Sequence, residues 1–315
     1  ALVYWTSCWA LYLWAMIFGT LATMGMAPAE CAQEAGVGAA LRRPHDPNLI
    51  YEDETRYSSI AVRQMSDRPD RRVLRRDGRR LGEITAGEPE RLDRFGTEVC
   101  AGLMRGLAGG RSGLSILVVG GAGEGFARYL RTCWPDSAVE VIEVDPGVTA
   151  ALREAYGAGQ PSGIDKVHAD ARYYLSRRRI ERADSAARKR YHFVSLDVAR
   201  GGPVPFPWMT REFNESVADV LTADGVYMLS LSDTPQGGRF LGALIGTFEQ
   251  TFSHIHVVAD CSGDSSSNGS FIVVGSQYAF DAERFLKDHD RYLKFRYLDR
   301  AEIASLKEGV GRLVL

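Results

Sequence analysis

Apolar and polar positions follow two different patterns along the chain. Beyond residue 110, short apolar runs typical of buried strands lie over residues 116–119, 139–145, 166–171, 191–197 and 225–231. Several are followed by apolar residues at helical spacing, such as Phe126, Leu130 and Trp134. Two further strands, 255–258 and 271–274, have no helix between them and should pair antiparallel. The pattern predicts an α/β domain on a mostly parallel seven-stranded sheet.

Residues 49–86 instead predict a small N-terminal antiparallel β domain. Residues 49–62 alternate in strand fashion, residues 72–76 form a second strand, and Asp77-Gly78 marks a tight hairpin turn. The arginines of this unit alternate with acids and lack a row of aromatic residues. That mixture indicates a solvated or membrane-facing surface rather than a nucleic-acid site. The preceding residues 30–48 contain Gly and Pro without a period and predict a linker.

The first 29 residues contain no charged side chain. A run of this length predicts a transmembrane helix over residues 1–29, because roughly 20 apolar residues are enough to span a bilayer. A signal peptide is a weaker interpretation, because the basic n-region is absent and the run is too long for an h-region. A buried helix of a soluble domain is the other alternative. We expect both ends of the chain to lie within a longer protein.

Charge and cysteine content narrow the classes of function. The formal net charge of −2 gives no general electrostatic attraction for nucleic acid. The 5 cysteines are dispersed without CxxC or metal-type spacing. They are typical of reduced thiols in a cytosolic compartment, and no metal site is expected.

A glycine cluster follows the first apolar strand of the α/β domain. The strand 116–119 passes through Gly120, Gly121 and Gly123 directly into a helical pattern. Glycines are required where a strand turns sharply into a helix and a ligand approaches the backbone. The N-terminus of the helix offers free N–H groups to a polar ligand. A tight turn without a ligand is the alternative interpretation.

Three acids end three of the predicted parallel strands. They are Glu143, about twenty residues beyond the glycine loop, Asp170 and Asp197. Strand carboxyl ends are where open α/β sheets bind ligands, and an acid at the first position takes ribose hydroxyls. The set indicates S-adenosylmethionine or its decarboxylated form, although Asp170 and Asp197 would also serve as helix caps. A cytosolic ligand would put the domain on the cytoplasmic side of an inner or plasma membrane.

Several segments resemble those of one known family, the polyamine aminopropyltransferases (spermidine synthases). Over residues 49 to 300 the chain is similar to the bacterial branch in which the enzyme domain is fused to membrane spans. The similar segments are 51–57 with Ile60 and Val62, Asp77-Gly78, the loop 119–123, the acid and helix start 143–146, and 209–213.

The resemblance implies a class I methyltransferase-like (Rossmann-like) domain over 87–300 and a truncated C-terminal tail over 301–315. It implies that Glu143 holds the ribose, that Asp170 holds the adenine, and that Asp197 is the base that deprotonates an amine acceptor. It also implies a possible homodimer and no metal. The cofactor-binding residues implied are Gly120, Gly121, Gly123, Glu124, Glu143, Asp170 and Ala171.

The chain departs from this family mainly where the amine should bind. Gly123 replaces an aspartate that favours the decarboxylated cofactor, and Glu124 follows one position later. Leu81 replaces a glutamine, Arg200 replaces an acid, and the family's Tyr-His pair is missing around Gly96. Three functions therefore stay open: aminopropyl transfer from decarboxylated S-adenosylmethionine, methyl transfer from S-adenosylmethionine, and nucleoside binding by a membrane-tethered domain that has lost catalysis.

Overall fold

The structure is a computed structural model of the 315-residue chain. It describes residues 13, 16, 46–85, 87–88, 91–92, 95–120, 123–156, 163–181, 190–197, 206–233, 239–261, 269–287 and 295–311. The chain divides into two compact units, residues 1–47 and 48–315. Apart from Leu13 and Met16, the predicted membrane span over 1–29 lies outside the described residues. Within the part of the chain that is described, no helix is long and apolar enough to cross a membrane.

The second unit begins with a small antiparallel sheet, as the sequence predicts. Its strands are β1 (Leu49–Glu54), β2 (Ser59–Gln64), β3 (Arg71–Arg76) and β4 (Arg79–Thr85), in the order β1-β2-β3-β4. The single strand predicted over 49–62 is wrong, because a turn at Thr55–Ser58 folds it into two strands. The Thr55 hydroxyl accepts the Tyr57 and Ser58 backbone N–H groups and so stabilises this turn. Asp77 and Gly78, with φ of 50° and 73°, form the hairpin between β3 and β4.

The α/β domain is built on a mixed sheet of eight described strands, one more than predicted. The extra strand, Phe295–Tyr297, has three residues, which are too few to show alternation in the sequence. It pairs antiparallel with the strand His254–Asp260. The strands are β5 (Ser115–Val119), β6 (Ala138–Ile142), β7 (Ile164–Val167), β8 (Tyr191–Asp197), β9 (Leu221–Asp233), β10 (His254–Asp260), β11 (Gly269–Ser276) and β12 (Phe295–Tyr297). Their order in the sheet is β12-β10-β11-β9-β8-β5-β6-β7, and the antiparallel pairing of β10 with β11 is confirmed.

Helices cover both faces of this sheet because its central strands are apolar on both sides. The helices are α1 (Phe95–Ala108), α2 (Gly123–Cys133), α3 (Pro146–Tyr156), α4 (Ala171–Glu181), α5 (Arg211–Val220), α6 (Arg239–Phe248), α7 (Ala282–Lys287) and α8 (Arg300–Lys307). Ile116 and Val118 of β5 pack in one core with α1 and α2, and Leu117 and Val119 pack in the other with α4, α5 and α6. The helix α3 buries its apolar face against the small sheet.

Candidate active site

The carboxyl ends of four parallel strands form one row. The last paired rung across β8, β5, β6 and β7 consists of Leu196, Val119, Ile142 and Val167. Asp197, Gly120 and Glu143 each follow this rung by one residue, so they lie side by side at the edge of the sheet. With neighbouring strands about 4.8 Å apart, the backbones of the two acids are separated by roughly 10 Å, with the glycine between them. The pairing confirms that Glu143 and Asp197 lie at the ends of parallel strands. The prediction that Asp170 also ends a strand is wrong, because β7 ends at Val167.

Gly120 is a glycine for a geometric reason. Its φ is 109°, which side chains other than glycine rarely adopt, and a Cβ there would lie 3.3 Å from the Asp197 carbonyl oxygen. Its N–H donates to the Ile142 carbonyl at 2.9 Å, which ties the loop to β6. Gly123 begins α2, whereas Gly121 lies outside the described residues. The backbone at Gly120 therefore leaves the edge of the sheet clear between the two acids.

Glu143 is a buried carboxyl group with 5% of its surface exposed. Burial raises its pKa, while the N–H of Asp145 and the positive charge of Arg76 act in the opposite direction. Its Oε1 accepts the Asp145 N–H at 2.8 Å, and its own N–H donates to the Val167 carbonyl at 3.0 Å. A carboxylate fixed in this way is suited to accept hydrogen bonds from a pair of hydroxyl groups.

Asp197 is half-buried at the end of β8 and pairs across the sheet with Ser230 of β9. Beneath it, the Ser195 hydroxyl donates to the Cys100 sulfur at 3.9 Å. Burial raises the pKa of the Cys100 thiol to about 12, so this neighbour is neutral at physiological pH. Asp197 thus ends β8 next to a neutral thiol, and its contact with the reacting end of a ligand stays a prediction.

Helix α1 approaches the same end of β9 very closely. A Cβ at Gly96 would lie 2.6 Å from the Ser230 hydroxyl oxygen, so the first turn of α1 packs directly on the strand beside Asp197. No larger residue fits there unless Ser230 moves. Leu81, at the position of the family's glutamine, is buried in the core between the small sheet and α3. Arg200 lies outside the described residues.

Asp170 and Ala171 lie at the start of α4, three and four residues beyond Val167, the last residue of β7. The carboxylate of Asp170 accepts the Tyr173 N–H at 2.9 Å, which is an N-cap hydrogen bond, and the residue is exposed. Ala171 is buried in the core beneath it. Thus the capping alternative is realised at Asp170, while an adenine contact by its exposed carboxylate stays a prediction.

Glu124 lies in a buried group of charges at the start of α2. Its carboxylate accepts Arg128 Nη2 at 3.0 Å and Lys166 Nζ at 2.8 Å, and only 3% of its side chain is exposed. Arg128 also stacks on the ring of Tyr156 at 3.8 Å. The structure therefore occupies both oxygens of Glu124 with cations from the protein itself.

The sequence did not reveal the residues that hold the Glu143 loop in place and contribute charge near Glu143. Asp145, 1% exposed, accepts the hydroxyls of Thr55 and Ser58, and Arg76 contributes charge from the small sheet. Asp145 lies within the recognised segment 143–146, but nothing in the sequence linked it to hydroxyls about ninety positions earlier. His168, which follows β7, was also missed, and its ring nitrogen lies 3.1 Å from the Thr149 hydroxyl.

Comparisons with known proteins give two kinds of relative. Over 120 residues the chain is 32% identical to a polyamine aminopropyltransferase of Vibrio vulnificus, covering 38% of each protein. Over 125 residues it is 28% identical to an eEF1A lysine and N-terminal methyltransferase of Bos taurus, covering 38% of this chain and 17% of that protein. A probable spermidine synthase from Corynebacterium glutamicum aligns with a TM-score of 0.71 and 21% identity, covering 84% of this chain and 96% of that one. No protein-family profile matches the chain.

The resemblance to polyamine aminopropyltransferases is confirmed by the Vibrio relative, over well under two thirds of that protein's length. The class I methyltransferase-like fold is likewise confirmed by the Corynebacterium structure. The comparisons do not show the membrane-fused branch. Among the described residues, no group of three or more His, Cys, Asp or Glu side chains is placed to hold a metal ion.

Proposed function

We propose that this chain is a spermidine synthase-like aminopropyltransferase. It would transfer the aminopropyl group of decarboxylated S-adenosylmethionine to a small amine acceptor, with Asp197 as the base. The observation that supports this most is the row Glu143, Gly120, Asp197, in which two carboxyl groups flank a glycine at the carboxyl edge of a parallel sheet. A nucleoside seated over Gly120 would meet Glu143 with its ribose and Asp197 with its reacting end.

The proposed reaction is a displacement at the carbon next to a sulfonium. An alkyl ammonium with a pKa of about 10 must first lose a proton, which the Asp197 carboxylate accepts. The amine lone pair then forms the new C–N bond, the C–S bond breaks, and its electron pair returns to sulfur. Methylthioadenosine leaves, and the proton on Asp197 passes to water. Positioning of the two reactants supplies much of the acceleration.

Methyl transfer from S-adenosylmethionine is the second candidate, and two observations favour it. Gly123 stands where the aminopropyltransferases carry an aspartate that favours the decarboxylated cofactor, and one relative is an eEF1A lysine and N-terminal methyltransferase. The small antiparallel sheet and the segment 209–213 favour aminopropyl transfer instead, since both belong to the resemblance to spermidine synthases. A binding domain without turnover is the remaining proposal that the departures at Leu81 and Arg200 support.

Calorimetric titration separates these functions. The ligands are S-adenosylmethionine, its decarboxylated form and 5′-methylthioadenosine, each titrated into the same preparation. Preference for the decarboxylated form supports aminopropyl transfer, and preference for the carboxylated form supports methyl transfer. Tight binding of both without turnover of any amine supports the binding domain. Absence of binding by all three would contradict every version of the proposal.

We also propose that residues 1–29 anchor the protein in an inner or plasma membrane with the α/β domain on the cytoplasmic side. The uncharged run of 29 residues supports this proposal. Carbonate extraction of membranes from cells that express the chain provides a test, with a chain beginning at residue 46 as the control. Release of the longer chain by carbonate would contradict the anchor.

A further inference from the structure

The loop that carries Glu143 is held from the small sheet. The Thr55 hydroxyl donates to Asp145 Oδ2 at 2.7 Å, and the Ser58 hydroxyl donates to the same oxygen at 3.1 Å. Asp145 is 1% exposed, so these bonds replace the water that a buried carboxylate would otherwise need. The turn between β1 and β2 is thus fastened to the start of α3.

Asp145 passes this constraint on to Glu143. Its Oδ1 accepts the Gly147 N–H at 2.9 Å, and its own backbone N–H donates to Glu143 Oε1 at 2.8 Å. The β1–β2 turn and the start of α3 also touch closely, because a Cβ at Gly147 would lie 2.3 Å from Thr55 Cγ2. A continuous series of hydrogen bonds therefore leads from the small sheet to the carboxylate at the edge of the large sheet.

Arg76 of the small sheet contributes a positive charge that acts on Glu143. It pairs directly with Ile60 across β2 and β3, so both side chains lie on the same face of the small sheet. Ile60 is fully buried against α3, and Arg76 is half-buried beside it. The strand end is fixed by Asp77, whose N–H donates to the Ser59 carbonyl at 2.8 Å. The positive charge of Arg76 lowers the pKa of Glu143, and the negative charge of Asp145 raises it.

We propose that Thr55, Ser58 and Arg76 are positioning residues for Glu143, so that recognition of a ribose diol depends on the small sheet. This inference rests on the proposed function only in taking Glu143 as the group that binds the ribose. Thr55 and Ser58 fix the orientation of the carboxylate through Asp145, and the positive charge of Arg76, on the buried face of the small sheet, favours its ionised form. The small sheet would then contribute to nucleoside binding without itself touching the nucleoside.

The first test compares two ligands that differ only in the diol. They are 5′-methylthioadenosine and its 2′,3′-dideoxy counterpart, and the variant is Thr55→Val combined with Ser58→Ala. We expect the affinity for the ribose form to fall about 10-fold, because a hydrogen bond to a charged group is weakened, and that for the dideoxy form to stay within 2-fold. Thr55→Ser in place of Thr55→Val should restore the affinity for the ribose form, because serine keeps the hydroxyl group. Ser66→Ala, which removes an exposed hydroxyl of the same sheet bonded to Asn48, is the control.

Equal losses for the two ligands, or no loss for either, would contradict the inference. A wild-type protein that binds neither ligand would contradict the proposed function instead. Two measurements that use no nucleoside then test the inference independently of the proposed function. Hydrogen exchange of the Asp145 amide should accelerate at least 10-fold in the Thr55→Val, Ser58→Ala variant if that amide is held as described. An unchanged exchange rate would refute the positioning.

The second nucleoside-free measurement follows the protonation of Glu143. Its carboxyl infrared band is assigned by difference from Glu143→Gln and titrated in each variant. Arg76→Gln should move the midpoint to higher pH, and Arg76→Lys should restore most of the shift. Arg75→Gln is the matched control, because Arg75 is exposed and donates to the Gly78 carbonyl. A midpoint that is the same in Arg76→Gln and wild type would overturn the role of Arg76.

Discussion

The two halves of the site are built in different ways. Around Glu143 the backbone and side-chain groups are bonded to one another, through the Asp145 N–H, the Val167 carbonyl and the hydroxyls of the small sheet. Around Asp197 helix α1 approaches the sheet closely, so that a Cβ at Gly96 would require the Ser230 hydroxyl to move. The half proposed to bind the nucleoside is thus tied to the small sheet by polar bonds, and the half proposed to carry the reaction is bounded by the close packing of α1.

This difference bears on which ligand the site accepts. A carboxylate held by several polar groups keeps one geometry whatever occupies the rest of the site. A space bounded by helix packing changes with any substitution that alters side-chain volume. We therefore expect nucleoside binding to be the robust property of the chain, and the acceptor to be set by the few residues near Asp197. Substitutions in the two halves should separate these properties.

The largest expected effect is on turnover. Asp197→Asn keeps the size of the side chain but removes the base, so the rate of amine transfer should fall by about 10²- to 10⁴-fold. Affinity for 5′-methylthioadenosine should change by less than about 3-fold, because the ribose contacts of Glu143 are untouched. Single-turnover kinetics and calorimetry on the same preparation measure the two quantities. Unchanged turnover would remove Asp197 from the mechanism.

The opposite result is expected at Glu143. Glu143→Gln removes the charge that we propose binds the ribose, and affinity for the nucleoside should fall about 10- to 100-fold through the loss of charge-assisted hydrogen bonds. Glutamine keeps an oxygen for the Asp145 N–H, so the loop should stay in place. Affinity loss confined to a ligand that carries the 2′,3′-diol would support the assignment. An equal loss for a dideoxy ligand would contradict it.

Glu143→Gln should also stabilise the folded protein when no nucleoside is added. Burial raises the folded-state pKa of Glu143 above its ordinary 4.5, so the folded protein binds a proton more readily than the unfolded chain. The ionised form therefore destabilises the fold, and wild-type stability falls as pH rises through the interval above 4.5. Urea unfolding should show Glu143→Gln to be more stable at pH 7, with the gain shrinking toward pH 4.5. A gain that grew on acidification would show the opposite linkage.

The packing of the reacting half provides a smaller effect. Gly96→Ala puts a methyl group against the Ser230 hydroxyl and should lower the free energy of unfolding by about 1–3 kcal/mol. Ser230→Ala removes the clashing oxygen, so the double variant should recover most of the loss in a double-mutant cycle by urea unfolding. Ser230→Ala alone is the control. Simple additivity of the two substitutions would contradict the close approach.

The sequence predicts the sheet well and the site only in part. Apolar runs and their spacing define the strands because burial on both faces demands apolar residues, and the acids at the strand ends follow from that register. Glu124 could not be placed, because a charge near a glycine loop serves equally to bind a ligand or to pair with Arg128 and Lys166. The contacts of Asp145 with Thr55 and Ser58 depend on how two sheets pack, and no local pattern encodes them.

The smallest effect is expected at Asp170, where one carboxylate serves two purposes. Its bond to the Tyr173 N–H caps α4, so Asp170→Ala should lower the free energy of unfolding by about 1 kcal/mol, whereas Asp170→Asn should lower it little. If the exposed carboxylate also accepts the adenine amino group, Asp170→Ala should weaken nucleoside binding by about 2- to 10-fold. That loss should disappear with an N6,N6-dimethyladenine ligand, which has no N–H to donate. A loss of stability without any change in affinity would leave Asp170 as a helix cap alone, and the nucleoside half would then end at Glu143.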